Sequence, residues 1–342
     1  MELELMKKIY AKLSDDLSKE IFMYRIMASI SEWDESWDTK LFRTNGKLAE
    51  FIRLVENFPG DVVVMGCGYR GKQLVRLHKA IKWKCFIDNA PKESTYENIP
   101  VRKADLFLQE YKDELVVISS KIYNLEMYQQ LVENGVRKEN IIDYGAILNE
   151  IRDDQYFDLE ELPISEEEVF IDLGCFDAMT DVALKRKIGG KLKMVIAFEP
   201  DLRRVQCCKE NLEHAGISYQ LVERGGWSEE CTLHFGIHDK SGLLVLGDSG
   251  EEVKVTSVDR VLGGNSASFI KMDIEGSEYE ALRGCKNTIL KYKPKLAISV
   301  YHKFTDIFDI PALIMEYCPD YKLYLRHYAP DSNETVLYAI PG

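Results

Sequence analysis

The sequence predicts an α/β protein with two open, mainly parallel sheets in tandem, and three observations carry that expectation. The first is Val169-Phe170-Ile171-Asp172-Leu173-Gly174, an apolar run that ends on an acid and a glycine and turns into a helical pattern. The second is Met194-Val195-Ile196-Ala197-Phe198, a further apolar run that ends on Glu199 and Pro200. The third is Gly66-Cys67-Gly68-Tyr69-Arg70-Gly71, set between an apolar run over 62–65 and a helical pattern from Lys72. Strand, tight turn and helix is the repeating unit of parallel sheets, whose ligands gather outside the carboxyl ends of the strands.

Composition narrows the class. With 342 residues the chain exceeds one average domain, and 46% hydrophobic with 30% charged residues suits a folded globular protein. A net charge of −13, with Lys and Arg interleaved among Asp and Glu, argues against a nucleic-acid-binding stripe. The first residues lack the basic-then-apolar order of a signal peptide, and no apolar run reaches the length of a membrane span. Eight cysteines without a C-x-x-C pair suit reduced thiols, so the expected location is cytoplasmic.

Residues 1–58 space apolar groups as helices do, with Ile21, Tyr24 and Ala28 on one stripe and Leu48, Phe51, Ile52 and Val55 on another. Trp33 and Trp37, in the acidic loop between them, are read as cover for an apolar face. Residues 59–150 form a small Rossmann-like α/β domain. Its glycine turn follows the first strand, and a second strand, Lys84-Cys85-Phe86-Ile87, ends at Asp88. That combination is a dinucleotide-type fingerprint, with Gly66, Gly68, Gly71 and Asp88 as candidate contacts for a nucleotide or nucleotide-sugar. A tight turn needs the same glycines with no ligand at all, and both readings stay open. A strand over 115–118, a helix over 124–134 closed by Gly135, and a strand over 141–144 complete the domain. Residues 151–168, with several acids and Pro163, read as a polar linker.

The second domain occupies 169–342. After the Glu199 tip come a helix over 202–215 ended by Gly216, a strand over 218–222, and the turn Gly225-Gly226-Trp227. Residues 232–235, 242–246 and 253–255 suggest short antiparallel strands. A strand from Ser268 leads into Asp273-Ile274-Glu275-Gly276, a helix over 279–290 follows, and a strand over 296–300 ends on Tyr301-His302. Segments 321–327 and 336–340 form a closing hairpin, so one terminal strand runs antiparallel to the sheet. Five strand tips or turns then face one crevice, bearing Asp172 with Gly174, Glu199, Gly225-Gly226-Trp227, Lys271-Asp273-Glu275, and Tyr301-His302. Singly, each residue has a plain structural role: the acids cap helices, Trp227 fills a core, His302 is a buried polar group. Their recurrence at tip after tip is what marks a site.

From about residue 165 onward the sequence resembles the FkbM family of S-adenosylmethionine-dependent methyltransferases. The resemblance is carried by Asp172 to Thr180, Phe198-Glu199-Pro200, Thr256-Ser257-Val258-Asp259, Phe269 to Gly276 with Glu278, Tyr301-His302-Lys303 and Arg326-His327-Tyr328. It implies a Rossmann-like methyltransferase fold, S-adenosylmethionine as cofactor, and O-methyl transfer to a sugar or natural-product acceptor. It further implies that Asp172, Gly174, Cys175, Phe176 and Thr180 frame the cofactor's methionine end, that Glu199 holds the ribose, and that Gly226 and Trp227 flank the adenine. Lys271, Asp273, Glu275 and His302 would line the acceptor side. Ala178 stands where many such loops carry another glycine, and its methyl would narrow the backbone's approach to the ligand.

Methyl transfer from a sulfonium needs the acceptor oxygen held in line and a base for its proton. His302, neutral near physiological pH at its ordinary value, is the expected base, with Asp273 the alternative and Lys271 an orienting cation. A metal bridging Asp273, Glu275 and His302 ranks below a metal-free site. The rival readings are a non-catalytic regulator that binds S-adenosylmethionine or a nucleotide-sugar, and an NAD-dependent oxidoreductase built on Gly66 to Gly71. A homo-oligomer is left open.

Overall fold

The computed structural model describes residues 2–31, 33–238, 243–246 and 250–342. It divides into two compact units, one of Met1–Ser29, Asp154–His327 and Asn333–Gly342, the other of Ile30–Asp153 and Tyr328–Ser332. The chain opens with α1 (Glu2–Lys12), α2 (Asp16–Ile30), α3 (Glu35–Phe42) and α4 (Gly46–Glu56). Asp34 and Asn45 start α3 and α4 by accepting backbone N–H groups, as short polar side chains do at helix N-termini.

The sheet of the smaller unit follows, as β1 (Val62–Met65), α5 (Tyr69–Leu77), β2 (Trp83–Asp88), β3 (Thr95–Tyr96) and β4 (Ile99–Lys103). It continues with α6 (Ala104–Leu108), β5 (Leu115–Ile118), α7 (Asn124–Glu133), β6 (Ile141–Asp143) and α8 (Tyr144–Asp154). Strand order is β3-β4-β2-β1-β5-β6, and β1 runs parallel to both β2 and β5. β1 and β5 are buried along their whole length, which is why they read as unbroken Val and Ile runs. The β3–β4 pair goes beyond the expected elements. β4 carries Pro100, Arg102 and Lys103, a composition that disguises strands near a sheet edge.

The larger unit contains β7 (Val169–Leu173), α9 (Met179–Ile188), β8 (Met194–Phe198), α10 (Leu202–His214) and β9 (Tyr219–Val222). Next come β10 (Gly225–Gly226), β11 (Cys231–His238), β12 (Leu243–Leu246) and β13 (Glu251–Thr256), which form a separate four-stranded sheet. Gly242, expected to begin β12, lies outside the described residues. The unit ends with α11 (Val258–Leu262), β14 (Phe269–Met272), α12 (Glu278–Arg283), α13 (Lys286–Tyr292), β15 (Lys295–Ser299), α14 (Asp306–Tyr317), β16 (Lys322–His327) and β17 (Thr335–Ile340). The main sheet has the order β16-β17-β15-β14-β7-β8-β9. β7, β8, β9, β14 and β15 are parallel, and β17 runs antiparallel to β15 as the hairpin predicts. The single helix expected over 279–290 is broken at Gly284. A Cβ there would lie 2.0 Å from the Trp227 carbonyl oxygen, so the chain turns where that carbonyl approaches.

Two boundaries differ from the sequence reading. Residues up to Ser29 fold with the larger unit because the edge strand β16 needs partners. Ser14 N–H donates to the Leu323 carbonyl at 2.9 Å, Leu325 N–H donates to Ser18 Oγ at 2.8 Å, and Arg326 pairs with Asp15 at 2.7 Å. The expected linker is also largely folded. Tyr156, Phe157, Leu159 and Leu162 are buried, and the Phe157 ring packs 6.0 Å from both Phe170 and Phe269. Among the described residues no helix is long and apolar enough to cross a membrane, and all eight cysteines are free.

Candidate functional site

Parallel pairing of β7 with β14 sets Asp172 opposite Lys271, and the two form a buried 2.8 Å ion pair. Lys271 Nζ also donates to the Gly174 carbonyl at 2.9 Å, so a cation inside the sheet braces the turn after β7. Burial pushes the Asp172 carboxyl up, against the pull of Lys271. Burial opposes the Lys271 charge too, but Asp172 and Asp273 outweigh it and hold the ammonium protonated. The turn is tight, since Gly174 has φ +80° and a Cβ there would meet the Asp273 carbonyl oxygen at 2.1 Å. Phe176 and Ala178 also lie in left-handed backbone, at φ 58° and 61°, strain of the kind that gathers at functional loops. Ala178 is fully buried and lines no part of the crevice, so its methyl does not narrow the approach expected of it.

A narrow crevice, about 100 Å³, opens at the carboxyl ends of β7, β8 and β14. Gly174, Phe176, Glu199, Gly226, Asp273 and Glu275 line it, joined by Phe198, Pro200, Gly225, Ile274 and Ser277. Glu199 is held by two backbone donors: Phe176 N–H reaches Oε2 at 2.9 Å and Asp201 N–H reaches Oε1 at 2.8 Å. Burial nevertheless pushes its carboxyl up to about 7, against those bonds. The other expected cofactor residues stand behind the lining. Asp172 is under the turn, Cys175 is buried with its Sγ 3.8 Å from that of Cys208, and Thr180 is half-buried in the first turn of α9. Trp227 packs on Val253 and Val255 of the small sheet, its backbone N–H donating to the Thr256 carbonyl, so only the two glycines before it reach the crevice.

The far end of the crevice is acidic. Asp273 accepts from the Tyr156 hydroxyl at 2.8 Å and from the Tyr301 hydroxyl at 3.2 Å. His302 Nε2 lies 3.5 Å from Asp273 Oδ1 and 3.5 Å from Glu275 Oε2, while Nδ1 lies 2.9 Å from Glu278 Oε1. Burial would push the imidazole down, but its contact with Glu278 and the charges of Glu278, Asp273 and Glu275 outweigh it and raise the ring to about 9. The expectation of a neutral ring at physiological pH is therefore not met in this arrangement. Lys271, expected on the acceptor side, is committed beneath the Gly174 turn instead. Tyr156 was hidden in an acidic, proline-bearing stretch with no periodicity to reveal it. Glu278 had a signal: it is the third acid of Asp273-x-Glu275-x-x-Glu278, and α12 turns it back so that Oε1 accepts Ile274 N–H at 2.8 Å.

In the smaller unit the glycine turn borders a cleft that Gly66, Gly68, Arg70, Asp88 and Tyr123 help to line. Two glycines answer to packing. Gly66 has φ +104°, and a Cβ on Gly71 would lie 2.1 Å from the Gly66 carbonyl oxygen. Gly68 has open space where a Cβ would go, so packing does not require it. Asp88 spends its oxygens on Cys67 N–H at 2.8 Å and Ala90 N–H at 2.9 Å.

Residues 172–328 match the family model described as the methyltransferase FkbM domain. The chain is similar in fold to the methyltransferase FkbM from Methylobacillus flagellatus KT, with TM-score 0.51 and 19% identity over 95% of this chain and 99% of that one. Aeropyrum pernix fibrillarin in complex with natively bound S-adenosyl-L-methionine is more distant, with TM-score 0.35 and 11% identity over 53% of this chain and 70% of that one. So is precorrin-6y C5,15-methyltransferase from Geobacter metallireducens GS-15, with TM-score 0.35 and 11% identity over 59% and 90%. No curated protein matches the chain.

Proposed function

Residues 172–328 being an FkbM methyltransferase domain, and the chain an S-adenosylmethionine-dependent methyltransferase, we propose that it methylates a hydroxyl of a small-molecule or carbohydrate acceptor. The observation that carries this reading is one crevice with two chemically different ends. At one end Glu199 stands beside the side-chain-free Gly225 and Gly226 and the apolar Phe198 and Pro200. Each Glu199 oxygen has accepted one backbone N–H and keeps a lone pair, which suits two ribose hydroxyls with a flat base beside them. Gly174 and Phe176 then border the methionine end. A crevice this narrow encloses only part of such a cofactor, so binding widens it.

At the other end Asp273 and Glu275 line the crevice, and their charge favours a neutral polyol over an anionic acceptor. Bound S-adenosylmethionine supplies a methyl group already activated on a sulfonium. Tyr156 and Tyr301 fix the Asp273 carboxylate, which takes the hydroxyl proton as the acceptor oxygen gains the methyl. Asp273 has that role rather than His302 because Asp273 lines the crevice. The Gly68 cleft is the complementary part of the proposal, as a place for a nucleotide or the nucleotide end of a nucleotide-sugar.

A labelled-methyl assay against neutral sugars, nucleotide-sugars, polyketide alcohols, amines and carboxylic acids tests the reading. The expected product is a methyl ether. Label recovered solely on nitrogen or as a methyl ester would overturn it.

A further inference from the structure

The acidic end of the crevice holds more negative charge than its neighbours balance. Asp273, Glu275 and Glu278 surround a single imidazole, His302, so two formal negative charges remain even when the ring is protonated. Lys271 offsets them only in part, through its field on Asp273, because its hydrogen bonds go to Asp172 and the Gly174 carbonyl. Glu278 is completely buried, and while its Oε1 accepts Ile274 N–H, its Oε2 has no hydrogen-bond partner. Neither His302 ring nitrogen has an aligned hydrogen bond, although Nδ1 is only 2.9 Å from Glu278. A buried carboxylate oxygen left bare is costly, and a fold that keeps one has a partner for it.

One ligand atom each from Asp273, Glu278 and His302 lies within 4.8 Å of the other two. Two oxygens on opposite sides of a magnesium ion stand about 4.0–4.2 Å apart and adjacent ones closer, so the three groups need to draw in around a common centre. Two carboxylates with one imidazole form a hard, oxygen-dominated set of the kind that selects magnesium or manganese. Glu275 falls outside the set. Its backbone is left-handed, at φ 55°, which turns the chain between Asp273 and Glu278, and its side chain is 32% exposed.

We propose that Asp273, Glu278 and His302 bind one divalent cation of the magnesium–manganese class at the acceptor end of the crevice. The open coordination positions take water or the acceptor's hydroxyl, which the ion polarises and holds facing the methyl group. This use of the ion rests on the hydroxyl-acceptor reading above; the binding does not.

The test is Mn²⁺ titration of the EDTA-treated full-length protein, followed by electron paramagnetic resonance, with S-adenosylhomocysteine binding measured on the same samples. The expected result is one saturable Mn²⁺ per chain, displaced by Mg²⁺. Asp273→Asn and His302→Ala should each weaken it at least about tenfold, and Glu275→Gln by less than about twofold. Unchanged far-ultraviolet circular dichroism and melting curves show that the variants are folded. A wild-type protein with no saturable Mn²⁺ site, or an Asp273→Asn/His302→Ala variant that holds Mn²⁺ unchanged, overturns the cation site. Loss of S-adenosylhomocysteine binding in the wild type would instead overturn the cofactor crevice.

Discussion

Burial holds the Glu199 carboxyl near 7, and ribose hydroxyls placed on it would donate to its ionised form. The two facts have opposite consequences for pH. An acid raised from 4.5 to about 7 keeps its proton in the folded state, so the stability it contributes is complete below the lower value. That contribution is lost as pH climbs through the higher value. Ligand binding runs the other way, because donors favour the carboxylate. S-adenosylhomocysteine affinity should therefore rise with pH and level off above about 7, with proton release on binding below it. Calorimetry in buffers of different ionisation enthalpy reads that proton directly, and Glu199→Gln should abolish it. Affinity that stays flat across the range in the wild type would sink the ribose assignment. Glu199 was legible from sequence because it ends a plain apolar strand. Trp227 was not, since nothing in Gly225-Gly226-Trp227 says whether the indole faces the crevice or the small sheet. Only the packing of Val253 and Val255 decides it.

Among the elements, the central strands explain both a success and a failure of the sequence reading. β7 and β14 announce themselves as apolar runs, but a parallel strand covered on both faces has no alternation to tell which way Lys271 points. Register supplies the answer, since Lys271 pairs with Asp172 across the two strands. Lys271→Met leaves that carboxylate buried and alone, which should cost roughly 3–5 kcal/mol. The double variant Asp172→Asn/Lys271→Met should recover most of the loss. Denaturant titration of the three proteins checks this, and a single-variant loss below about 1 kcal/mol would show that the pair does not hold the turn. Glu278 had its signal in the run of acids, but helical spacing does not reveal that α12 starts by folding it back onto the strand tip.

For the whole molecule, the succession of strands and helices was readable, whereas the ownership of the first helices was not. That ownership depends on hydrogen bonds between residues 307 positions apart, beyond any local pattern. Deleting residues 1–29 removes Asp15, Ser14 and Ser18 from the backbone and side chains of β16 and exposes a sheet edge. The expected outcome is a melting temperature lower by more than about 5 °C, or aggregation, by scanning calorimetry and light scattering. An unchanged melting curve would make these helices dispensable. The same long connection also bears on biosynthesis. At ribosomal speeds of about 5–20 residues per second, α1 and α2 leave the ribosome on the order of half a minute before their partner strand exists. Most of the smaller unit is fully translated in that interval. β17, translated after both β15 and β16, slots between them, and its Thr335 receives a hydrogen bond from Arg25 of α2. A nascent chain that terminates before Thr335 therefore loses more than one strand, because β16, which receives the first two helices, is then no longer joined to β15.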